Sequence, residues 1–483
     1  MKRKFFTNLL LLLFLNLLIK PFWVFGIDRT VQNMVGSSEY GLFFSLFNFT
    51  LLFNILLDLG ITNYNNRNLS IDASKVQFYI SHIAVIRFIL GLLYATVTII
   101  AALLLGYEKR QIGLLFVLII NQFLSSFIFY LRSNISGMQF YTTDSILSVL
   151  DRTLMITLCS LALWGNIFET PFKIEWFVYI QSVSYIITCF VVLSILLLKS
   201  KGIKVTFQWS VAKQIIFKSL PFAILIFFMT VYSRADSIMI ERLLPNGMKE
   251  AGIYAQSFRV LNALTMFAYL FPALLFPMFS RLIAKSEDIR PLAYFSFSIL
   301  FVISVASSLS FFAYSTPIMK LLYSEVGTHS ANVFAILILV FIPVSISYVF
   351  GTLLTAKGML KQLIYTAIIG VVINVVLNLL LIPVFEARGA AISCLVTQTI
   401  VCILQIVLCH VSGLFKFKKS DFFKCVYLFL LSAPTIFITH HYIDNIILGI
   451  MFFGGAVCIF GMVVGILPVN QAKQKIVQYL RDM

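Results

Sequence analysis

The sequence predicts an all-α polytopic membrane protein with about fourteen transmembrane helices. Of its 483 residues, 60% are hydrophobic and only 11% are charged, and the mean hydropathy is +0.98. A soluble domain carries roughly 25% charged residues, so lipid must be the solvent for most of this chain. The apolar residues form successive runs of helical spanning length. The alternating segments of a membrane barrel are absent, and backbone groups in lipid must bond within their own segment, which indicates helices.

Fourteen apolar runs have the length of a span once helix tilt is allowed for. The predicted spans are 5–27, 41–61, 79–105, 112–131, 145–164, 176–198, 215–239, 252–280, 291–313, 332–354, 362–383, 388–411, 422–439 and 446–467. The first run follows Lys2, Arg3 and Lys4 and has no small-residue cleavage site after it. We therefore interpret it as an uncleaved first helix rather than a signal peptide.

The distribution of basic residues supports an even number of spans. The formal net charge is +17, with 36 lysines and arginines. If the N-terminus is cytoplasmic, 23 of them fall in predicted cytoplasmic segments and eight on the opposite side. This asymmetry follows the positive-inside rule, and a missing helix would scramble it. Both termini are then predicted to be cytoplasmic. The basic residues form short clusters without a continuous basic face, which argues against nucleic-acid binding.

No pattern in the sequence indicates an enzyme, a cofactor or a metal site. Phosphate-binding, serine-hydrolase and zinc-protease motifs are absent. The seven cysteines include no C-x-x-C pair and lie mostly in apolar runs, which favours packing over metal binding or disulfides. The predicted loops are short, the longest being 62–78, 199–214 and 314–331. They leave no room for a soluble catalytic domain.

A short motif occurs twice. Gly36-Ser-Ser-Glu39-Tyr-Gly41 precedes the second span and Gly247-Met-Lys-Glu250-Ala-Gly252 precedes the eighth, so both read G-x-x-E-x-G. The copies are six spans apart and on the same predicted outer face. This spacing predicts two related halves of six helices, followed by two further helices, and repeats of this kind are typical of transporters.

Eight charged residues fall within or at the end of predicted spans. The cations are Lys20, Arg87, Arg152, Arg234 and Arg259, and the anions are Asp58, Asp151 and Asp236. A charge in the membrane costs roughly 2.5–3.5 kcal/mol on insertion scales, so such residues face a hydrated cavity or pair with one another. The excess of cations predicts a cavity that attracts an anionic group such as a phosphate.

Two roles are open for these residues. Lys20, Arg87, Arg234 and Arg259 are the predicted substrate-binding cations. Asp58, Asp151, Arg152 and Asp236 are candidates for ion coupling or for structural ion pairs. Neighbours one or two residues apart point in different directions on a helix. We therefore expect the Asp151–Arg152 and Arg234–Asp236 side chains to find partners on other helices rather than each other.

Several stretches resemble one transporter family. They are Val35-Gly-Ser-Ser-Glu-Tyr-Gly41 leading into Leu57-Asp58-Leu-Gly-Ile61, then Arg234-Ala-Asp236-Ser-Ile-Met-Ile240, Glu250-Ala-Gly-Ile-Tyr254, Phe276-Pro277-Met-Phe-Ser-Arg281 and Arg388-Gly-Ala-Ala-Ile392. Together they resemble the polysaccharide transporter, or Wzx-type flippase, branch of the multidrug/oligosaccharidyl-lipid/polysaccharide (MOP) exporter superfamily. Asn16 to Pro21 followed by Asp28 to Asn33 is similar to its Bacteroidetes-like subgroup.

The resemblance implies a MATE-like fold of two pseudo-symmetric six-helix bundles plus two C-terminal helices. The implied domains are 1–198, a cytoplasmic linker 199–214, 215–411, and 412–483. It further implies that the protein moves an undecaprenyl-diphosphate-linked oligosaccharide across the bacterial inner membrane by alternating access. Membrane lipids and a polysaccharide polymerase with its chain-length machinery are the other implied partners.

Three alternatives remain at this point. A cation-coupled multidrug antiporter of the same superfamily would want more acidic residues in the cavity than are available here. A lipid II flippase is a second sibling in the same superfamily. A polytopic polysaccharide polymerase or ligase belongs to a different class, and the short loops argue against it.

Overall fold

The computed structural model describes residues 16, 18–19, 21–62, 65, 76–165, 171–200, 209–416, 418–443 and 445–467. Within these residues every regular element is a helix and none is a strand. This confirms the predicted all-α fold class. The chain divides into two compact units, 1–252 and 253–483. The lobe boundaries at 198 and 215 come from the predicted repeat, and these two units do not test them. Those boundaries stay a prediction.

The first unit is a helical bundle centred on its first long helix. Its helices are α1 (Arg29–Leu52), α2 (Ile55–Asp58), α3 (Val76–Leu104), α4 (Lys109–Gly137), α5 (Tyr141–Trp164), α6 (Ile174–Ser200) and α7 (Trp209–Leu243), with a π-helical turn, Trp23–Asp28, leading into α1. Helix α1 packs against α4, α6 and α7, and α4 packs against α6. Helix α8 (Gly247–Ala268) begins in this unit and continues into the second.

The second unit contains the remaining helices. They are α9 (Leu270–Ala284), α10 (Arg290–Ala313), α11 (Ser315–Leu322), α12 (Thr328–Ile338), α13 (Phe341–Ala356), α14 (Leu360–Phe385), α15 (Ala387–Val411), α16 (Lys419–Tyr442) and α17 (Ile446–Val463). Helix α10 lies centrally and packs against α12, α13 and α17, while α13 packs against α9 and α15.

The helices match the predicted spans. Among the described residues, eleven helical stretches are long and apolar enough to cross a membrane. The predicted spans 41–61 and 422–439 fall in α1 with α2 and in α16, and most of span 5–27 lies outside the described residues. About fourteen transmembrane helices is therefore consistent with the structure, and the chain is a multi-pass membrane protein.

Two predicted spans besides 41–61 also consist of two helical pieces each. Span 252–280 is interrupted at Tyr269, between α8 and α9, and span 332–354 is interrupted between α12 and α13. A proline follows each break, Pro272 in the first turn of α9 and Pro343 in the first turn of α13. Proline has no N–H to donate, so the first turn of a helix is where it is tolerated best.

The α14–α15 hairpin of the second unit turns within a single residue. Glu386 has φ 54 and ψ −136. Helix α14 ends directly before it at Phe385, and α15 begins directly after it at Ala387. Three residues later, a Cβ on Gly389 would lie 2.3 Å from the Leu381 carbonyl oxygen. The hydroxyl of Ser393 donates to the Asn374 carbonyl at 3.1 Å. At Gly389 the two backbones are thus too close for a side chain.

This packing predicts that Gly389→Ala destabilises the protein. The added methyl must displace backbone rather than a flexible side chain, and overpacking of this kind costs about 1–3 kcal/mol. The matched control is Gly454→Ala on α17, where a Cβ would meet no atom within 4 Å. Thermal unfolding of the purified protein in detergent measures both. Equal melting temperatures for the two variants would contradict the tight hairpin.

Candidate functional site

A buried ion pair joins α3 to the end of α2 in the first unit. The Arg87 guanidinium donates to the Asp58 carboxylate, with the Arg87 side chain 2% exposed and that of Asp58 28% exposed. Arg87 also donates to the hydroxyl of Thr62. The structure therefore brings together a predicted substrate-binding cation and a predicted ion-pair acid, 29 residues apart in the chain.

The local chain around Asp58 explains why an acid stands there. Leu59 and Gly60 both have positive φ, 45 and 80, so the backbone reverses direction directly after α2. The Asp58 carboxylate accepts from the backbone N–H groups of Gly60 and Thr62, both at 3.1 Å. A side-chain carboxylate that accepts backbone N–H groups in this way stabilises such a turn. Asp58 thus both stabilises the turn and neutralises the charge of Arg87.

Helix α4 supplies the remaining contacts of Arg87. Arg87 Nη1 donates to Ser126 Oγ at 2.8 Å and to the Ser126 carbonyl at 3.2 Å. The guanidinium carbon also lies 5.1 Å from the centre of the Tyr130 ring. A buried arginine is tolerated when its charge is paired and hydrogen-bonded. Both terminal nitrogens of Arg87 are bonded in this way, and its buried Nε has no hydrogen-bond partner among the described residues. In this conformation the Arg87 side chain, which belongs to α3, is bound by residues of α2 and α4. Contact with a substrate would therefore require another conformation.

A second polar site joins α1 to α7. Arg234 Nη1 donates to Asn48 Oδ1 at 3.3 Å, and Asn48 Nδ2 donates to Ser237 Oγ at 3.0 Å. Asn48 is 1% exposed and Asp236 is also 1% exposed, whereas Arg234 is only half-buried. Arg234 is therefore a half-buried cation with Asn48 hydrogen-bonded beside it. That combination suits recognition of an anionic oxygen.

The third predicted cluster is arranged differently from our expectation. Asp151 Oδ2 and Arg152 Nε, which are adjacent on α5, lie 3.7 Å apart. The prediction that they could not contact each other is wrong, because an arginine side chain is long enough to fold back along its own helix. Arg152 also reaches another element, as predicted, since its guanidinium carbon lies 5.4 Å from the Trp23 ring centre.

The two remaining predicted cations are Lys20 and Arg259. Lys20 lies outside the described residues. Arg259 is half-buried on α8 within the second unit, whereas Arg87 and Arg234 belong to the first. The structure therefore assigns Arg87, Arg234, Asp58, Asp151, Arg152 and Asp236 to one unit and Arg259 to the other.

Sequence reasoning missed a buried carboxylate at the start of α1. Asp28 is 2% exposed, and its carboxylate accepts from the Tyr40 hydroxyl at 2.8 Å. Asp28 stands one residue beyond the predicted first span, so it counted as a loop residue. The signal that could have found it is Trp23-Val-Phe-Gly-Ile27, which is apolar and continues as helix through Asp28 into α1.

Polar residues at the start of α4 form three further contacts that the sequence did not reveal. Arg110 donates to Glu39 at 2.6 and 3.0 Å and to Glu175 at 2.8 Å, which joins α4 to α1 and α6. Its neighbour Gln111 donates to Glu241 on α7 at 3.1 Å. The repeated motif contains Glu39, but nothing in a sequence indicates which arginine will meet it.

Comparison with known proteins gives a family match over more than half of the chain. The model of a family described as polysaccharide biosynthesis protein matches residues 25–283. No curated protein matches the chain.

Solved structures of similar fold include a lipid flippase and multidrug transporters. A lipid II flippase, MurJ, in an inward closed conformation is 14% identical with a TM-score of 0.65, covering 95% of this chain and 99% of its own. An inward-facing multidrug resistance MATE transporter of the MOP superfamily is 16% identical with a TM-score of 0.63, covering 81% and 95%. A MOP transporter from Pyrococcus furiosus, described as having a binding pocket of reverse polarity, is 14% identical with a TM-score of 0.60, covering 84% and 94%. At these identities the likeness establishes the MOP fold.

The Arg87–Asp58 geometry predicts strong coupling between the two residues. Asp58→Asn keeps the acceptor oxygen and removes the charge, which leaves Arg87 buried without its counter-ion. Removing one partner of a buried pair costs about 3–5 kcal/mol, and the partial exposure of Asp58 favours the lower end. Adding Arg87→Met to Asp58→Asn should recover much of the loss.

A double-mutant cycle on unfolding free energies in detergent measures this coupling. The exposed pair of Glu39 and Arg110 provides the control, because Glu39→Gln should change stability by no more than about 1 kcal/mol. Additive effects of Asp58→Asn and Arg87→Met would show that the buried contact contributes nothing.

Proposed function

This chain belongs to the polysaccharide biosynthesis protein family, and from that premise we propose that it moves a lipid-linked oligosaccharide across the bacterial inner membrane. The observation that carries the proposal is Arg234, a half-buried cation on an apolar helix, with Asn48 fixed beside it. A guanidinium inside a membrane protein is costly to maintain. A diphosphate-linked substrate gives such a cation a function, because arginine matches phosphate oxygens with paired N–H groups.

The proposed mechanism is alternating access between two halves. The halves are 1–198 and 215–411, joined by the linker 199–214 and followed by 412–483. The sugar-diphosphate head passes through a hydrated cavity while the polyprenyl tail stays in lipid. Binding to Lys20, Arg87, Arg234 and Arg259 in turn replaces water around the phosphates. The head group therefore crosses without meeting the hydrocarbon interior.

The buried ion pair gives this mechanism a specific step. With Asp58 bound to Arg87, the guanidinium is neutralised and the substrate is not held there. An arriving phosphate would compete with the carboxylate for the same N–H groups, so the cation would be released only while the substrate occupies the site. Asp58, Asp151, Arg152 and Asp236 are the residues we propose for ion pairing or ion coupling.

A second candidate is a cation-coupled exporter of the same superfamily. The MATE likeness establishes the fold alone, but the buried acids Asp28 and Asp236 are a feature that such an exporter would need. The two functions differ in what accumulates when the protein is removed. A flippase leaves its lipid-linked oligosaccharide on the cytoplasmic leaflet, whereas loss of a drug exporter raises sensitivity to cationic drugs and leaves the lipid pool unchanged.

Removal of the gene product is therefore expected to trap lipid-linked oligosaccharide on the cytoplasmic leaflet. The measurement is lipid extraction followed by quantification of intermediates accessible from outside intact spheroplasts. An unchanged surface glycan together with an unchanged lipid pool would rule out the flippase.

Replacing Arg234 should impair the same transport. Arg234→Gln removes the charge and retains hydrogen bonding, and loss of a charge-assisted hydrogen bond of about 1.5–3 kcal/mol corresponds to roughly ten- to a hundredfold slower flipping. Arg234→Lys should retain part of the activity. Arg290→Ala, at an exposed arginine, is the control. Normal export by Arg234→Gln at normal protein abundance would remove Arg234 from the site.

The proposed orientation can be checked on either side of α8 and α9. In a background without native cysteines, single cysteines at the exposed positions Asn246 and Ser286 are tested with a membrane-impermeant maleimide on intact cells. We expect Asn246→Cys to be labelled from outside and Ser286→Cys only after lysis. The reverse pattern would invert the topology and place both termini outside.

A further inference from the structure

The two copies of the G-x-x-E-x-G motif contact each other. A Cβ on Gly41, the last residue of the first copy, would lie 1.8 Å from the Met248 carbonyl oxygen and 2.5 Å from the Gly252 nitrogen. A Cβ on Gly252, the last residue of the second copy, would lie 1.9 Å from the Ser37 carbonyl oxygen. The backbones of α1 and the first turns of α8 therefore approach so closely that only hydrogen fits at either glycine.

The contact is symmetric. Gly41 meets the carbonyl four residues before Gly252, and Gly252 meets the carbonyl four residues before Gly41. Reciprocal contact of equivalent residues is the property of an interface that lies on a two-fold axis. All four residues belong to the first compact unit. The repeat that the sequence predicted is thus accompanied by a contact that relates its two copies.

The other glycines of the motif serve the same crossing. Gly36 has φ 82 and ψ 166, which breaks α1 just before the contact and which a residue with a side chain rarely adopts. A Cβ on Gly247 would lie 2.3 Å from the Glu241 carbonyl oxygen, so the turn from α7 into α8 is equally tight. Gln32, one turn before the break, donates to the Gly252 carbonyl at 3.0 Å.

Polar contacts close the same end of the unit. Arg110 binds Glu39 of the first motif copy, and Gln111 binds Glu241 just before the second copy. The Arg242 guanidinium carbon lies 3.5 Å from the Tyr107 ring centre. Below them on α1, Ser45 is fully buried. The start of α4 therefore holds α1 and α7 together where the glycines cross.

We propose that the crossing of Gly41 and Gly252 is the outer gate of the transport path. This inference rests on the proposed function and orientation, and it identifies the contact that must open. In alternating access, two halves related by an axis along the membrane normal open the transport path at one end at a time. Elements that touch on that axis at one end must therefore separate when that end opens. The crossing suits a reversible contact, because glycine Cα–H groups facing carbonyls contribute only about 0.5–1 kcal/mol each.

Glycine substitution tests the gate through accessibility, without reference to any substrate. The background replaces the seven native cysteines and carries Ser45→Cys as reporter. In right-side-out vesicles, the closed crossing should keep labelling by an impermeant maleimide slow. Gly41→Ala and Gly252→Ala should hold the outer end open. If the open state is at most about 10% populated in the parent, labelling should rise about tenfold or more.

The matched control is Gly113→Ala on α4, where a Cβ would meet no atom within 4 Å. Its labelling should equal that of the parent. Unchanged labelling in folded Gly41→Ala and Gly252→Ala proteins, judged by size-exclusion profile, overturns the proposal.

A second arm applies where the alanine variants do not fold. Gln111→Cys with Glu241→Cys, linked by a short reducible bis-thiosulfonate reagent, locks α4 to α7. Transport should stop on linking and return on reduction, and undiminished transport by the linked protein overturns the gate. The two proposals fail separately. If the gate opens but removal of the protein traps no lipid-linked oligosaccharide, the gate is supported and the flippase function is ruled out.

Discussion

The cost of burying polar and charged groups in an apolar medium determines how the first unit is built. Arg87 is almost fully buried, and two helices contribute groups that compensate it: α2 through the charge of Asp58, and α4 through the hydroxyl and carbonyl of Ser126 and the ring of Tyr130. Asp58 in turn accepts the backbone N–H groups of Gly60 and Thr62, at the turn formed by the positive φ of Leu59 and Gly60. A single buried guanidinium thus fixes where α2 ends and how α3 and α4 pack.

Backbone proximity is the second constraint. Where two helices cross at glycines, side chains are excluded and the backbones themselves form the contact. The first unit uses this at Gly41 and Gly252, and the second unit uses it at Gly389 in the α14–α15 hairpin. The same residue type acts differently at Gly36, which supplies a positive φ. A glycine-rich motif can therefore combine a chain break and a close approach within six residues.

The proposed function depends on how the charged residues of the first unit are buried and bonded. Arg87 is almost fully buried in its pair with Asp58, and Arg234 is half-buried with Asn48 hydrogen-bonded beside it. We propose that the fully buried pair stabilises one conformation and that Arg234 binds the substrate. The match to the polysaccharide biosynthesis protein family supports this proposal, and the MOP fold provides the arrangement of helices.

The sequence by itself determined the fold class and the approximate number of spans, and it predicted a repeat. These follow from local rules, because bilayer thickness sets the length of an apolar run and the charge bias sets its direction. It also identified Arg87, Asp58 and Arg234 as exceptional residues, since a charge in an apolar run is conspicuous. Only the tertiary structure decided that Arg87 meets Asp58, that Arg110 meets Glu39, and that Gly41 meets Gly252. Such pairings depend on helix crossings between residues far apart in the chain, and no local pattern records which helices cross.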